Sequence, residues 1–498
     1  MTSPRGIRLH ALARALALPV HGEGDPHVTG ITEDSRRVRP GDLFVAYNGH
    51  STDGARFVPA ALAAGAVAVC AERPVPGVPT LVTATPRAAL PLLAAEVYGH
   101  PARELRLIGI TGSLGKTSTS LIIEACLAAA HQRVGIIGSL GVRARGHAVD
   151  TRMTTPGAPV IHESLRWMAD EGVAAVLMEV TSHAIALDRV TGLEFALGVF
   201  TNLVPDEHLE FHPTPEAYVQ TKLRFLDMLR PGAPVVFGWD DDTVRAAVMR
   251  WTRGPAIGVS LSGDPHAPVR VIERRAHVAG SHFRLVVDAP LPTIHGAPLQ
   301  SATLDFSLPL LGREQVGNAA LAVTAALVAG ASTEDVVRGL ATIAPIRRRM
   351  ELVHAPGPLV VDDSVGHPRS IAQVADLVRA LPGRRVRVVY AIRGARGPGI
   401  NARNAAALGA LVAECGATLV VTASDDVADG RNRVHDEERR AVEDTLRRDG
   451  VPYHYEHTLQ AAVHAALRDA EANDLVLLLG AQGMDEGARF AREVLGTR

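Results

Sequence analysis

A chain of 498 residues is too long for one hydrophobic core, and its length implies about three domains. With 47% hydrophobic and 21% charged residues and a net charge of −2, the composition is that of an ordinary globular protein, with no basic surplus for nucleic acid or an anionic membrane. Cys70, Cys126 and Cys415 lie far apart in apolar segments, which reads as buried small hydrophobes in a reducing, cytoplasmic protein, and no apolar run is long enough to span a bilayer.

In chain order, Arg5, Arg8, His10 and Arg14 interleave with Leu and Ala, which predicts an amphipathic helix rather than a signal peptide. A helical stretch at 60–65 feeds a strand at 66–70, and turns are expected at 39–42 and 49–54. The proline-rich 74–79 reads as a loop and 100–103 as a linker. Residues 1–103 therefore form a first α/β unit.

Residues 105–111 are an apolar run that predicts a buried strand; Gly112 and Gly115 permit a tight turn, and Lys116-Thr117 open a helix running through 121–128. Strand, glycine turn and helix start together make a phosphate cradle. Its donors are the backbone of Gly112, Ser113, Gly115 and Ser118, with Lys116 for the outer phosphates and the Thr117 hydroxyl for Mg²⁺. The match is to the short form G-x-x-G-K-T, because Ile110 stands where the longer pattern has glycine. Further buried strands are expected at 134–138, 174–179, 197–202 and 234–238, separated by helices as in a parallel sheet. Residues 268–289 alternate like an antiparallel addition, and a helix at 318–329 closes a second unit over 104–345. Strands at 359–362, 386–390, 419–422 and 475–480 set a second α/β rhythm in a Rossmann-like unit over 346–498. The fold class is α/β in three domains, the central one a P-loop parallel-sheet domain.

Chemistry-bearing residues cluster after the cradle. Glu179 ends a buried strand, where open α/β sheets place ligands, so it is a candidate Mg²⁺ ligand or else a solvated strand-end carboxylate. The loop at 201–212 carries Asp206, Glu207, His208, Glu210 and His212, too many to be ligands of one Mg²⁺. Lys222, on a helical pattern, would ordinarily be a solvated lysine.

These motifs resemble the Mur ligase family, most closely the type that adds the third amino acid to the peptidoglycan precursor. Residues 34–46 with Gly49-His50 and Asp53-Gly54 are similar to that type's UDP-binding domain, and 153–156 and 179–189 to its muramoyl-peptide contacts. The resemblance implies an ATP-dependent carboxylate–amine ligase working through an acyl phosphate, probing small-molecule substrates (a UDP-sugar peptide and an amino acid), with no nucleic-acid or membrane partner and a monomeric state expected. It implies UDP-sugar-peptide roles for Ser35, Thr154, Thr155, Thr181 and Arg189. Mg²⁺ ligation falls to Thr117, Glu179, His208 and a carbamylated Lys222, and catalysis to Lys116, Glu179, His208 and Lys222. ATP contacts fall to the cradle together with Asn318, Arg349 and Asp363. Alternatives are a paralogue joining an amine to another carboxylate, and an ATP-binding regulator without turnover.

The departures concentrate at the C-terminal end. Leu114 replaces the asparagine of G-T-N-G-K-T, and the D-Y-A-H-x-P stretch has its histidine displaced to His367. The D-N-P-R signature that grips diaminopimelate is absent, with 422–428 in its place, so diaminopimelate is not expected as substrate. Arg393 and Arg396 are candidates for the incoming carboxylate or the ATP phosphates, or for capping a glycine-rich turn.

Overall fold

The computed structural model describes residues 6–496 apart from 49–52, 210, 252, 278–279, 295, 429 and 431; Gly49, His50 and Glu210, singled out above, lie outside the described residues, as does Arg5. The fold is α/β and is built on three main sheets. The first has strands ordered Val20–His21, Thr80–Val82, Ala68–Ala71, Asp42–Val45, Gly30–Thr32, parallel except at the first pairing. The expected N-terminal helix begins only at Leu9, because Ile7–Arg8 pairs with His27–Val28 as a short antiparallel ribbon. Helix Pro86–Val97 covers the sheet, and Pro101–Arg103 leads out of it.

The large sheet has eleven strands, and the first of them in chain order, Arg106–Thr111, lies in its interior between Ala175–Glu179 and Leu197–Phe200. All three run parallel, with Glu179 beside Ile110 and Phe200 beside Thr111. Their carboxyl ends thus open at one edge on either side of the strand from which the glycine turn departs, which is where doubly wound sheets bind ligands. Leu107, Ile108 and Ile110 are fully buried, as helices on both faces require of a parallel strand. On one face pack helix Lys116–Ala129 and helix Arg313–Val328, whose residues from Ala319 to Val328 are almost all buried, a stripe of Ala and Leu without a polar side.

The antiparallel addition is the hairpin Val269–His277 with Gly280–Val287, extended by a third strand, Ala302–Leu308. That third strand, and the hairpin Gly141–Ala144 with His147–Val149 at the opposite edge, escape the sequence pattern. Edge strands bury one face at most, and every residue of His147–Val149 is exposed, so no apolar run marks it.

The third sheet is ordered Glu351–His354, Leu359–Asp363, Asp474–Gly480, Arg385–Ala391, Thr418–Thr422, His454–Glu456, parallel except at the first pairing. Its central strand Asp474–Gly480 is buried throughout, the continuous apolar run expected of a parallel strand covered on both faces. Cys70 and Cys126 are buried; Cys415, at the end of helix Pro398–Cys415, is only partly so.

Candidate active site

The turn between Arg106–Thr111 and Lys116–Ala129 is shaped by its glycines. Gly112 has φ 138 and Gly115 φ 85, and a Cβ on either would overlap the Thr201 hydroxyl or the Asn318 carboxamide respectively. Leu114 gives up no side-chain contact that the turn needs. Its N–H donates to Asn202 Oδ1 at 3.0 Å, while its carbonyl accepts from Thr201 Oγ1 at 2.6 Å and Asn202 Nδ2 at 3.1 Å. No side chain caps the helix that starts at Lys116, so its first N–H groups face the cavity in front of it.

That cavity, about 540 Å³, gathers most of the residues singled out in the sequence. Ser113, Gly115, Lys116, Thr117 and Ser118 form its floor, Glu179 and His208 one side, and Asn318, Arg349 and Asp363 another. Thr154, Thr155, Thr181 and Arg189 border it toward the N-terminal unit, and Arg396 toward the C-terminal one. Gly112 shapes the turn without lining the cavity, while Lys222, Ser35 and Arg393 stand outside its wall. Ser35 opens the short turn Ser35–Arg37, whose N–H at Arg36 is capped by Asp34 at 3.1 Å.

Thr117 Oγ1 donates to Glu179 Oε2 at 3.0 Å, so a hydroxyl and a carboxylate meet at the mouth of the cradle. Glu179 also accepts from the Ser139 N–H at 3.0 Å and the Ser139 hydroxyl at 3.1 Å. Ser118 Oγ, almost fully buried on the helix's first turn, has no hydrogen-bond partner among the described residues. The Thr117–Glu179 pair is an oxygen donor set suited to Mg²⁺, which takes few protein ligands. Among the described residues no cluster of three or more His, Cys, Asp or Glu side chains forms a metal cage. His208 is partly exposed with φ 58, and its ring meets that of His183 edge-on at 4.9 Å. His212, the other histidine of this loop, is 3% exposed and lies behind the cavity wall.

Lys222 is not the solvated lysine its helix suggests. It is 1% exposed, and its Nζ donates to the Gly112 carbonyl at 3.0 Å, the same oxygen that takes Lys116 Nζ at 2.7 Å. Burial, and then the Lys116 charge, hold the Lys222 amine well below its ordinary value, with Glu207 opposing. Burial likewise lowers Lys116, against the pull of Glu179 and Glu207. Two amines on one carbonyl with little water favour a neutral Lys222.

The third wall rests on Arg349, beside a buried network. Its neighbour Arg348 is 7% exposed with φ 57, and its guanidinium bonds the carbonyls of Gly480 and Ala481 and the carboxylates of Asp362 and Asp485. Burial pushes Asp362 up to about 7, with Arg348 opposing. Asp363, next along the strand, turns the other way, accepts from the Met350 N–H at 3.1 Å and lines the cavity.

Arg393 and Arg396 part company. The Arg393 guanidinium donates to the Gly366 carbonyl at 2.6 Å and does not reach the cavity. The turn that carries both is closed by Glu438, a residue the sequence reading missed, whose carboxylate accepts from the N–H groups of Ala395 (3.1 Å), Arg396 (2.7 Å) and Gly397 (2.7 Å). Burial opposes ionisation of Glu438, and the N–H groups of His435, Arg396, Gly397 and Ala395 outweigh it, holding the carboxyl below its ordinary value. Also unrecognised were Ser139, Thr201 and Asn202, which directly follow buried strands, so the strand-end rule that picked out Glu179 would have found them.

Three family models, curated relatives and solved structures match this chain. Residues 27–104 match the family described as "Mur ligase family, catalytic domain", residues 110–326 "Mur ligase middle domain" and residues 348–482 "Mur ligase, glutamate ligase domain". The chain is 32% identical to a UDP-N-acetylmuramyl-tripeptide synthetase of Roseiflexus sp. (strain RS-1), over 95% of this chain and 94% of that protein. It is 33% identical to a UDP-N-acetylmuramoyl-L-alanyl-D-glutamate–2,6-diaminopimelate ligase of Streptomyces coelicolor, over 98% and 95%. Among solved structures, MurF from Acinetobacter baumannii superposes with a TM-score of 0.71 at 19% identity over the whole of both chains. MurF ligase from Thermotoga maritima in complex with ADP gives 0.67 at 19% identity, over 94% of this chain and 98% of that one.

Proposed function

The chain belongs to the Mur ligase family, and from that premise we propose that it is an ATP-dependent, ADP-forming ligase that adds an amino acid to a UDP-muramoyl peptide in peptidoglycan precursor synthesis. The observation that carries the reading is the Thr117–Glu179 contact at the mouth of the glycine cradle, with Lys116 behind it and the bordering residues of all three units around one cavity. An amide does not form from a carboxylate and an amine in water; transfer of the terminal phosphoryl of ATP makes the carboxylate an acyl phosphate, which the amine then attacks. The chain's part is positioning and charge neutralisation. The helix N-terminus and Lys116 hold the phosphates, and Arg349, Asn318 and Asp363 line the nucleotide's side. Thr154, Thr155, Thr181 and Arg189 line the side from which a sugar peptide would enter, with Ser35 further out on the N-terminal unit.

Thr117 and Glu179 would hold Mg²⁺, with His208 on the same wall; the ion, when bound, neutralises charge on the transferring phosphoryl group. Lys222 in its neutral form has the nucleophilic amine that captures CO₂ as a carbamate with release of a proton, which would turn an amine into an anion with two oxygens. Arg396 remains a candidate for the incoming amino acid's carboxylate, and Arg393 supports the turn. Diaminopimelate is not expected: Asp426, in the stretch that replaces D-N-P-R, caps helix Leu459–Leu467 through the N–H groups of Leu459 and Gln460. The described residues hold no helix long and apolar enough to cross a membrane, and a cytoplasmic site of action as a monomer fits the substrates proposed.

Phosphate release tests the reading with purified protein, ATP, Mg²⁺, UDP-MurNAc-L-Ala-D-Glu and a panel of amino acids. Release that needs both the nucleotide sugar and one amino acid is expected. Release with a different carboxylate only would shift the proposal to the paralogue that the altered C-terminal turn, sealed by Glu438, favours. Tight ATP binding with no release from any pair would leave a regulator.

A further inference from the structure

Asp206 stands in the loop that carries His208, yet it does not line the cavity in front of the cradle. Its Oδ1 lies 3.2 Å from His367 Nε2, and its Oδ2 lies 3.2 Å from Arg403 Nη1. His367 caps helix Pro368–Ala380, and Arg403 belongs to helix Pro398–Cys415, so one carboxylate of the large-sheet unit meets an imidazole ring and a guanidinium of the C-terminal unit. We propose that Asp206 is a positioning residue: it docks the C-terminal unit onto the loop at 202–209 and so sets the geometry in which the nucleotide side of the cavity closes.

Both sides of this contact are stiffly mounted. His367 is 5% exposed, and its Nδ1 accepts from the Arg369 N–H at 3.2 Å, which leaves Nε2 to face Asp206. The carbonyl of the preceding Gly366 accepts from Arg393 at 2.6 Å and Asn404 at 3.3 Å, which explains why Arg393 is withdrawn from the cavity. On the other side the Val204 N–H donates to Ser113 Oγ at 2.8 Å, and Leu203 N–H to Asp241 at 2.7 Å. A pull on Asp206 is therefore transmitted within a few residues to the cradle's Ser113 and to His208. The buried His367 ring is already held in place and loses little freedom when the contact forms, so the Asp206–Arg403 ion pair, although 38% and 47% exposed, contributes here where a loose surface pair would not. His367 is also the displaced histidine of the sequence motif, and the displacement gives it this partner.

The inference rests on the ligase reading for its kinetic arm and is independent of it for its structural arm. Asp206→Asn removes the charge; His367→Asn keeps a side chain able to cap the helix but withdraws the ring from Asp206. For each, and for the double variant, kcat and KM for ATP and small-angle scattering of the full-length protein with and without Mg·ATP are measured. Expected are a roughly fivefold to tenfold loss in kcat/KM in Asp206→Asn, a smaller loss in His367→Asn, no loss in the double variant beyond that of Asp206→Asn, and a larger radius of gyration with nucleotide bound than in the unmodified chain. The charge exchange Asp206→Arg with Arg403→Asp is expected to recover part of the loss that Asp206→Arg alone produces. Unchanged scattering and kinetics in Asp206→Asn would overturn the docking role, and so would fully additive losses. If the unmodified chain shows no ligase turnover with any acceptor, the functional reading fails and scattering alone decides the inference.

Discussion

Two junctions of strand, glycine turn and helix in this chain look alike and end differently. One follows Arg106–Thr111 and the other Arg385–Ala391, and each enters a long helix through a glycine at φ 85, Gly115 in the first and Gly397 in the second. In the first the helix start and Lys116 face an open cavity. In the second, Glu438 has already placed a carboxylate against the N–H groups of the turn. Glu438 arrives from helix Asp436–Arg448, where it also accepts from the His435 N–H at that helix's own start. A glycine turn at a strand end is thus only half an anion site. The other half is what the rest of the chain leaves opposite the donors, and that decides between a ligand and an internal substitute.

The sharpest way to break the comparison is to delete a cation from each turn. Lys116→Ala is expected to lower kcat by about 10³-fold, since charge on the transferring phosphoryl group is then unopposed, with the melting temperature nearly unchanged. Arg396→Ala, on the sealed turn, is expected to raise KM for the amino acid by about tenfold and leave kcat within about threefold. Steady-state kinetics of the two variants measure both. Equal losses in kcat would mean that the second turn also meets the transferring phosphate, and the distinction between them would vanish.

A smaller effect is expected at Gly115. A Cβ there would overlap the Asn318 carboxamide, which lines the same cavity, and alanine at φ 85 is strained in addition. Gly115→Ala is therefore expected to cost roughly 100-fold in kcat/KM by displacing the cradle backbone about 1 Å or less. A loss under about threefold would show that the turn tolerates movement and that the glycine is not needed for close approach.

How much of this was legible in the sequence follows the same line. The open cradle is a local pattern: strand, Gly112, Gly115, Lys116 and Thr117 lie within a dozen positions, and the apolar run of 105–111 marks its strand. Strands buried on both faces, such as Asp474–Gly480, were equally plain. What could not be read was contact between distant residues. Glu438 lies some forty residues beyond the turn it seals, on a helix whose charged sequence suggests only a solvated face. Lys222 looked solvated for the same reason, because the carbonyl its buried amine meets, that of Gly112, lies 110 residues away in the chain. Edge strands such as His147–Val149 were missed because exposure erases the apolar run that would announce them.

Removing the internal carboxylate sharpens the comparison from the other side. Glu438→Gln leaves the N–H groups of Ala395, Arg396, Gly397 and His435 facing a neutral amide, one end of which is itself a donor. A destabilisation of about 3 kcal/mol is expected at neutral pH, seen in urea or thermal unfolding. The sign with pH is fixed by the depressed carboxyl: its contribution is full above the unfolded value near 4.5 and is lost as pH falls through the lower folded value. The gap between the unmodified chain and Glu438→Gln is thus expected to narrow below about pH 4.5. Sulfate is expected to restore part of the stability of Glu438→Ala, in which no side chain faces those N–H groups, and to leave the unmodified chain unaffected. A gap that stays constant with pH would show that Glu438 acts through packing rather than charge.

The smallest effect is expected at Gly397, and it isolates the backbone from the site. Gly397 has the same φ of 85 as Gly115, but a Cβ built on it meets nothing within 4 Å. With ψ at 164 its backbone lies in a region that glycine alone populates readily, so alanine there meets backbone strain and no overlap, about 2 kcal/mol, seen as a lower thermal midpoint. The carbonyl of Gly397 accepts from Asn401 Nδ2 at 3.1 Å and its N–H donates to Glu438 at 2.7 Å, so two bonds hold the turn in its strained form when the side chain changes. Catalytic constants of Gly397→Ala are therefore expected to stay within about twofold of the unmodified chain. The pair Gly115→Ala and Gly397→Ala then carries positive-φ strain, at ψ −8 and ψ 164, with and without a packed partner, and the difference in their kcat/KM measures how closely the cradle backbone approaches what binds there. A Gly397→Ala variant that lost activity as Gly115→Ala does would place the second turn in the reacting geometry despite the carboxylate that seals it.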